Sequence, residues 1–276
     1  MPFTPSHAVI ALPFIRTPLV PGAIAIGAMT PDLPLFLRGV GVSYSFTHTF
    51  AHVVWTALIA FVLFLLWRVV LRPAVPELAP LWLARRLPED WDDAGSVAAG
   101  NAVGIGEKRG YPVLLAISLV LGVLSHIVWD LFTHEDRWGV EVFPPLAEMW
   151  GPLLGFKWLQ HGSSLLGLAV LGVWALSWSR RRDPRRDVRQ RLPQWVRVAW
   201  WLSLPVVLVA AWIMGLLLLG PLDTEFTVQH LAYRMLPPAC ALWGALTLLL
   251  CVTLSLRGKA HQTGSSAPHG RGGENS

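Results

Sequence analysis

Five stretches of this chain carry no Asp, Glu, Lys or Arg: 39–67, 110–129, 158–179, 198–222 and 235–256. Each is long enough to cross a hydrocarbon core, which takes about 20 apolar residues of helix. A bilayer core offers no water to satisfy backbone amides, so segments this long and continuous have to be helical, and open sheets are excluded. With 54% of its 276 residues hydrophobic and only 14% charged, the chain does not have the composition of a soluble domain. The expected architecture is therefore an all-α polytopic transmembrane helical bundle whose first partner is the lipid bilayer. The fifteen Trp residues fall mostly near segment ends, as at Trp55, Trp67, Trp150, Trp158 and Trp178, and read as interfacial belts.

Charge placement predicts the orientation. Eight arginines lie between 180 and 197 against Asp183 and Asp187, which makes this loop cytoplasmic by the positive-inside rule. Alternation then puts 73–110 and the C-terminus inside as well, and the acid-rich loops 135–156 and 220–230 outside. The Arg cluster is read as topogenic, with no nucleic-acid role. Four regions follow: 1–178 with an N-terminal hairpin and three spans, the basic loop 179–197, two spans over 198–257, and a Gly/Ser-rich tail over 258–276 expected to be disordered. Residues 77–87 are expected to lie along the membrane surface as an amphipathic helix. The segment from Ala94 to Gly110 reads as a flexible linker. Cys240 and Cys251 share one span about 16 Å apart, too far for a disulfide. No basic region precedes the first apolar run, so no cleaved leader is expected.

The first 38 residues read differently, because seven prolines between Pro2 and Pro34 interrupt any helix. Two charge-free halves, 1–15 and 17–31, flank Arg16. Each would extend about 22 Å as a helix, short of the roughly 30 Å core. A re-entrant or short helical hairpin is expected, with Arg16 reaching the polar layer and His7 level with Asp32. The competing reading, a single span over 17–37, would leave His7 on the opposite side.

Ionisable groups inside membrane segments are costly, and so point to function. His48 and His52 are spaced i, i+4, and His126, Asp130 and His134 follow at i, i+4, i+8, which stacks each set on one helix face. The topology puts both sets at the outer ends of their spans, joined there by His7 and Asp32. Neutral imidazoles with carboxylates are the donor set of a zinc site. The candidate ligands are thus His7, Asp32, His48, His52, His126, Asp130 and His134, around a divalent metal of zinc type. Each residue also has a plainer reading: an interfacial His7, a turn at Asp32, a span start at His48 and His52, and a helix-packing contact between His126 and Asp130.

The segments MPFTPSHAVIALPF, GAMTPDLPLFL, SHIVWDLFTHEDRWGV and FKWLQHGSS resemble an uncharacterised bacterial membrane family, domain of unknown function 4184. That resemblance implies a bacterial inner-membrane location and no particular activity. More distantly, the order His7, Asp32, His48, His126, Asp130, His134 is similar to the ligand order of zinc-dependent phospholipase C and the nuclease P1 group. It is also similar to an inner-membrane metal-dependent hydrolase family. The likeness implies phosphoester hydrolysis, with Asp130 in a metal-bridging place and Asp32 or Asp130 as ligand or general base. The chain departs from that pattern in lacking an N-terminal Trp and in placing Leu165 where a Glu would follow His161. A phospholipid or lipid-linked phosphoester is the expected substrate class, since the site opens at the bilayer surface. Two other classes remain open: bis-histidine haem binding, and a non-enzymatic membrane protein whose polar cluster serves metal binding, transport, assembly or packing.

Overall fold

The computed structural model describes residues 3–38, 41–106, 109–188 and 190–265. Five helices are long and apolar enough to cross a membrane. A continuous helical segment, Phe50–Leu78, begins the set and is called α2 here because a shorter α1, Pro21–Met29, precedes it. Then come α3 (Tyr111–Thr133), α4 (Gly155–Arg180), α5 (Gln194–Leu219) and α6 (Val228–Ser265). The only strands among the described residues are the two-residue pair Met149–Trp150 and Leu153–Leu154. The fold is the expected all-α polytopic bundle. Large apolar side chains such as Val54, Leu165, Leu217 and Leu249 are exposed along the spans, as a lipid-facing surface requires.

The N-terminus forms the hairpin. A 3₁₀ helix over Thr4–Phe14 runs away from the cluster end, the chain turns through Ile15–Leu19 with Arg16 exposed, and α1 returns. Proline opens both helices and Pro13 lies inside the first, where a missing amide hydrogen disfavours a regular α-helix. The backbone amide of Val20, at the turn, donates to Ser118 Oγ on α3 at 2.9 Å. The hairpin therefore reaches only partway down α3, and the single-span reading of 17–37 does not hold.

Close helix contact holds α1 on α3. A Cβ built on Gly27 would stand 2.5 Å from the Leu119 carbonyl oxygen, and one on Gly122 would stand 2.3 Å from the Ile24 carbonyl oxygen. Small residues on both faces let the two backbones touch, a common device of membrane helix packing. Ala23, Val53, Ala57, Phe64, Leu119 and Val123 make the apolar core around this crossing.

Several expected boundaries shift. The first long span starts at Phe50 and passes through Arg68 and Arg72 to Leu78 instead of occupying 39–67, and it contains a π-helical turn over Trp67–Leu71. Arg72 is tolerated at that end because its Nη1 meets Asp90 Oδ2 at 2.9 Å. The surface helix expected over 77–87 is broken at Ala79, where the backbone is extended ahead of Pro80. The expected linker contains a helix, Gly95–Val103, because Ala98 and Ala102 at i, i+4 give it a small face that is fully buried. The loop after α4 folds back on the end of α2: Gln190 Nε2 donates to the carbonyls of Pro76 and Ala79, and the Arg191 amide donates to Glu77 Oε2. Both basic segments thus share one end of the bundle, as charge placement required. Some Trp residues do more than line the interface: Trp243 Nε1 donates to Ser203 Oγ at 2.8 Å and Trp200 Nε1 to Thr247 Oγ1 at 3.1 Å, joining α5 to α6. Helix α6 continues into the tail expected to be disordered, and residues 266–276, with His269, lie outside the described residues.

Overpacking of a tight crossing costs about 1–3 kcal/mol. Gly122→Val should lower the thermal midpoint of the detergent-solubilised protein by several degrees. Gly22→Ala, whose Cβ meets nothing nearer than 3.9 Å, should leave the midpoint within about a degree of wild type. Equal midpoints for the two variants in a scanning melt would refute the role given to the crossing.

Candidate metal centre

The end of the bundle opposite the basic loops gathers five ionisable side chains into one buried cluster. His126 is fully enclosed on α3, one turn before Asp130. Asp32 closes the 3₁₀ turn Thr30–Asp32 that follows α1. His48 caps the short helix Tyr44–Thr47, and Thr47 Oγ1 donates to the Pro31 carbonyl at 2.7 Å, so this segment is pinned beside Asp32. His7 arrives on the N-terminal 3₁₀ helix with its ring stacked on His126, centroids 4.1 Å apart.

Ring orientation is set by backbone carbonyls. His126 Nδ1 lies 2.7 Å from the Ala28 oxygen, and His48 Nδ1 lies 2.9 Å from the Tyr44 oxygen. A carbonyl only accepts, so both Nδ1 atoms carry the hydrogen, the tautomer that offers Nε2 to a metal. Those two Nε2 atoms face each other at 3.2 Å. Asp130 Oδ2 stands 3.4 Å from one and 3.5 Å from the other, and Asp32 Oδ1 is 3.7 Å from both. Electron-rich atoms converge on one point, and a cation there would relieve their repulsion. Histidines that bind metal commonly donate their other ring N–H to a carbonyl in this way.

The dimensions fit a zinc-type ion. Bonds of about 2.0–2.1 Å in tetrahedral geometry put neighbouring ligand atoms about 3.3–3.4 Å apart. His48, His126 and Asp130 have separations of 3.2, 3.4 and 3.5 Å, which describes one face of such a tetrahedron. His7, Asp32 and His126 form a second, overlapping group whose ligand atoms lie within 4.8 Å of one another. His126 has one free nitrogen to offer, so it belongs to one metal at a time. The pair of nitrogens is too close to admit a haem macrocycle between them, and carboxylates crowd both sides.

His134 sits at the rim. Helix α3 ends at Thr133 and His134 is extended, so it does not follow the helical face that i, i+8 spacing implied. Its Nδ1 nevertheless lies 3.6 Å from Asp130 Oδ1, an oxygen that is buried with no hydrogen-bond partner. Burial holds the His134 imidazole below its ordinary range and so favours its neutral form. His52 is not brought to the cluster. Thr49 is extended between the short helix and α2, which breaks the i, i+4 register with His48, and the His52 ring stacks instead on Phe46. His161 and Leu165 are both exposed, away from the site, and so are Glu135 and Asp136 in the loop beyond His134.

Neutral residues that carried no sequence signal complete the surround. Thr4 Oγ1 donates to Asp32 Oδ2 at 2.7 Å and Tyr44 Oη donates to Asp130 Oδ2 at 3.2 Å. Burial, then the Asp130 and Asp32 carboxylates, push the Tyr44 phenol above its ordinary value, so it remains a donor. Gln160, fully buried on α4, places its amide nitrogen 3.4 Å from His134 Nε2. The FKWLQHGSS segment pointed to this stretch of α4, though to His161 and not to its neighbour.

The family model described as Domain of unknown function (DUF4184) matches residues 1–252, which covers every residue of the cluster. The chain belongs to this family. No curated protein and no solved structure matches it. The DUF4184 description assigns no chemistry, so the reading of the cluster rests on its own geometry.

Metal content of the purified protein checks that reading. Wild type dialysed against zinc should hold about one zinc per chain or more, and His126→Ala and Asp130→Ala should hold less than a tenth of the wild-type amount. His52→Ala and His161→Ala should be unchanged. Tyr44→Phe should bind more weakly by about 10–100-fold, the usual cost of losing a group that orients a ligand. Zinc binding that survives His126→Ala would overturn the assignment.

Proposed function

We propose that this DUF4184 protein is a membrane-embedded, metal-dependent hydrolase of phosphoesters, with its site at the extracytoplasmic face of a bacterial inner membrane. The observation that carries this reading is the three-sided set His48, His126 and Asp130 with a further carboxylate, Asp32, whose Oδ1 lies 3.7 Å from both Nε2 atoms. Three protein ligands and a free position mark catalytic zinc, whereas structural zinc is closed by four. When bound, a divalent cation supplies Lewis-acid stabilisation of charge developing on a phosphoryl oxygen and lowers the pKa of water at its open position.

The chain's own residues supply the rest. Asp32 is the proposed general base: its Oδ1 lies 3.7 Å from both Nε2 atoms, farther than the three ligand atoms lie from one another, while Oδ2 is held by Thr4, which fixes the plane of the carboxylate. Asp130 is the proposed ligand, kept in position by Tyr44 at Oδ2. The backbone carbonyls of Ala28 and Tyr44 hold both imidazoles in the tautomer that leaves Nε2 free. His134 stands at the rim, with the buried Gln160 amide behind it, on the side from which a substrate headgroup would approach. A lipid phosphoester suits a site built at the end of membrane helices better than a soluble one, because its headgroup already lies at that depth. The alternative, a metal-binding or packing cluster without catalysis, shares every contact and uses Asp32 as a further ligand or packing partner instead of a base.

Activity against phosphatidic acid and phosphatidylglycerol in mixed micelles separates the two. Zinc-loaded wild type should release phosphate or headgroup, lose that activity on dialysis against a chelator and regain it with zinc. Asp32→Asn should lower kcat by about 10²–10⁴-fold, the range for loss of a general base, with most of the metal retained. Zinc-loaded protein with no turnover on any phosphoester tested would leave the non-catalytic reading.

A further inference from the structure

A groove of about 310 Å³ lies between the N-terminal 3₁₀ helix, α3 and α4. That volume is at the small end of ligand pockets, which span roughly 300–1,000 Å³. Its lining is ordered by polarity. Ser6, His7 and Ser163 stand toward the cluster end, and Ile10, Leu166 and Val170 continue toward the basic end. Leu166 is 65% exposed, so the groove's margin is part of the surface that faces lipid. The floor is closed by direct contact: a Cβ on Gly167 would stand 3.0 Å from the Ser6 carbonyl oxygen.

His7 connects the groove to the metal centre. It lines the groove and stacks on His126, yet its Nε2 is buried without any hydrogen-bond partner in a residue only 8% exposed. A buried polar nitrogen left unpaired is costly unless a ligand or ion completes it. The polarity gradient, the lateral opening and the unpaired nitrogen match one amphiphile: a lipid with its polar end at His7 and its chain in the apolar part.

We propose that this groove is the acyl-chain site of the DUF4184 protein, and that its substrate is a lipid phosphoester taken laterally from the bilayer with one chain held between the N-terminal 3₁₀ helix and α4. The chemistry at the headgroup rests on the hydrolase reading above, whereas occupancy of the groove does not. In this arrangement the N-terminal hairpin serves two ends at once, supplying His7 and Asp32 to the metal centre and one wall to the chain site. Headgroup alone would bind poorly, because the apolar part of the groove contributes nothing to it.

The test uses the full chain in nanodiscs doped with phosphatidic acid that carries a diazirine halfway along one acyl chain. After irradiation, peptide mapping should find label on Ile10, Leu166 and Val170 at least fivefold above that on Leu217 and Leu218, which are exposed on α5 where any bilayer lipid touches them. Val170→Trp and Leu166→Trp should each reduce groove labelling at least fivefold while zinc content, which reports an intact fold, is unchanged. Excess unlabelled phosphatidic acid should compete, and glycerol phosphate should not. Label spread evenly over the spans, labelling indifferent to both Trp variants, or equal competition by glycerol phosphate would overturn the proposal. Specific groove labelling in a protein that holds no zinc would uphold the chain site and remove the hydrolase reading, so the two fail separately.

Discussion

Two imidazole nitrogens face each other at 3.2 Å inside the DUF4184 fold, each made basic by a carbonyl hydrogen bond on the far side of its ring. Carboxylates from Asp32 and Asp130 close on the same point. In a buried place such a set is stable only with positive charge at its centre, since unpaired buried anions and opposed lone pairs are expensive. The placement of the N-terminal hairpin, the break between His48 and α2, and the polar surround of Thr4, Tyr44 and Gln160 all serve that convergence.

The hairpin is the element that makes it possible. A full span would have carried His7 and Asp32 to opposite sides of the membrane. Two short helices divided by Arg16 return Asp32 to the level of His7, and the glycine crossing of α1 on α3 brings the Ala28 carbonyl within bonding distance of His126. A side chain at Gly27 or Gly122 would push α1 outward and move both the Ala28 carbonyl and Asp32 away from the ring they address. Packing and chemistry meet at the same turn of α3.

Much of this was legible in the sequence because lipid leaves few choices. Charge-free runs longer than a bilayer thickness can only be helices, and two halves shorter than it, broken by proline, favour turning back over the single span that 17–37 also allowed. His7, Asp32, His48, His126 and Asp130 stood out because ionisable groups are rare in such segments. The i, i+4 spacing of His48 and His52 implied one shared face only for a continuous helix, and Thr49 is extended, so His52 leaves the face of His48. The same implication held for His126 and Asp130 because both lie on one uninterrupted helix. Thr4, Tyr44 and Gln160 were invisible, since neutral polar residues occur everywhere and only the folded geometry aims them at Asp32, Asp130 and His134. The helix over Gly95–Val103 was missed for a related reason: Gly and Ala read as flexible until a partner surface buries them.

X-ray absorption at the zinc edge addresses the convergence itself. Zinc-loaded protein should show a first shell of about four nitrogen or oxygen neighbours at about 2.0–2.1 Å with imidazole outer-shell scattering from two histidines. In Asp130→Asn the shell should change while the imidazole signature persists. A six-coordinate shell without imidazole scattering, or a protein that takes up no zinc, would contradict the account.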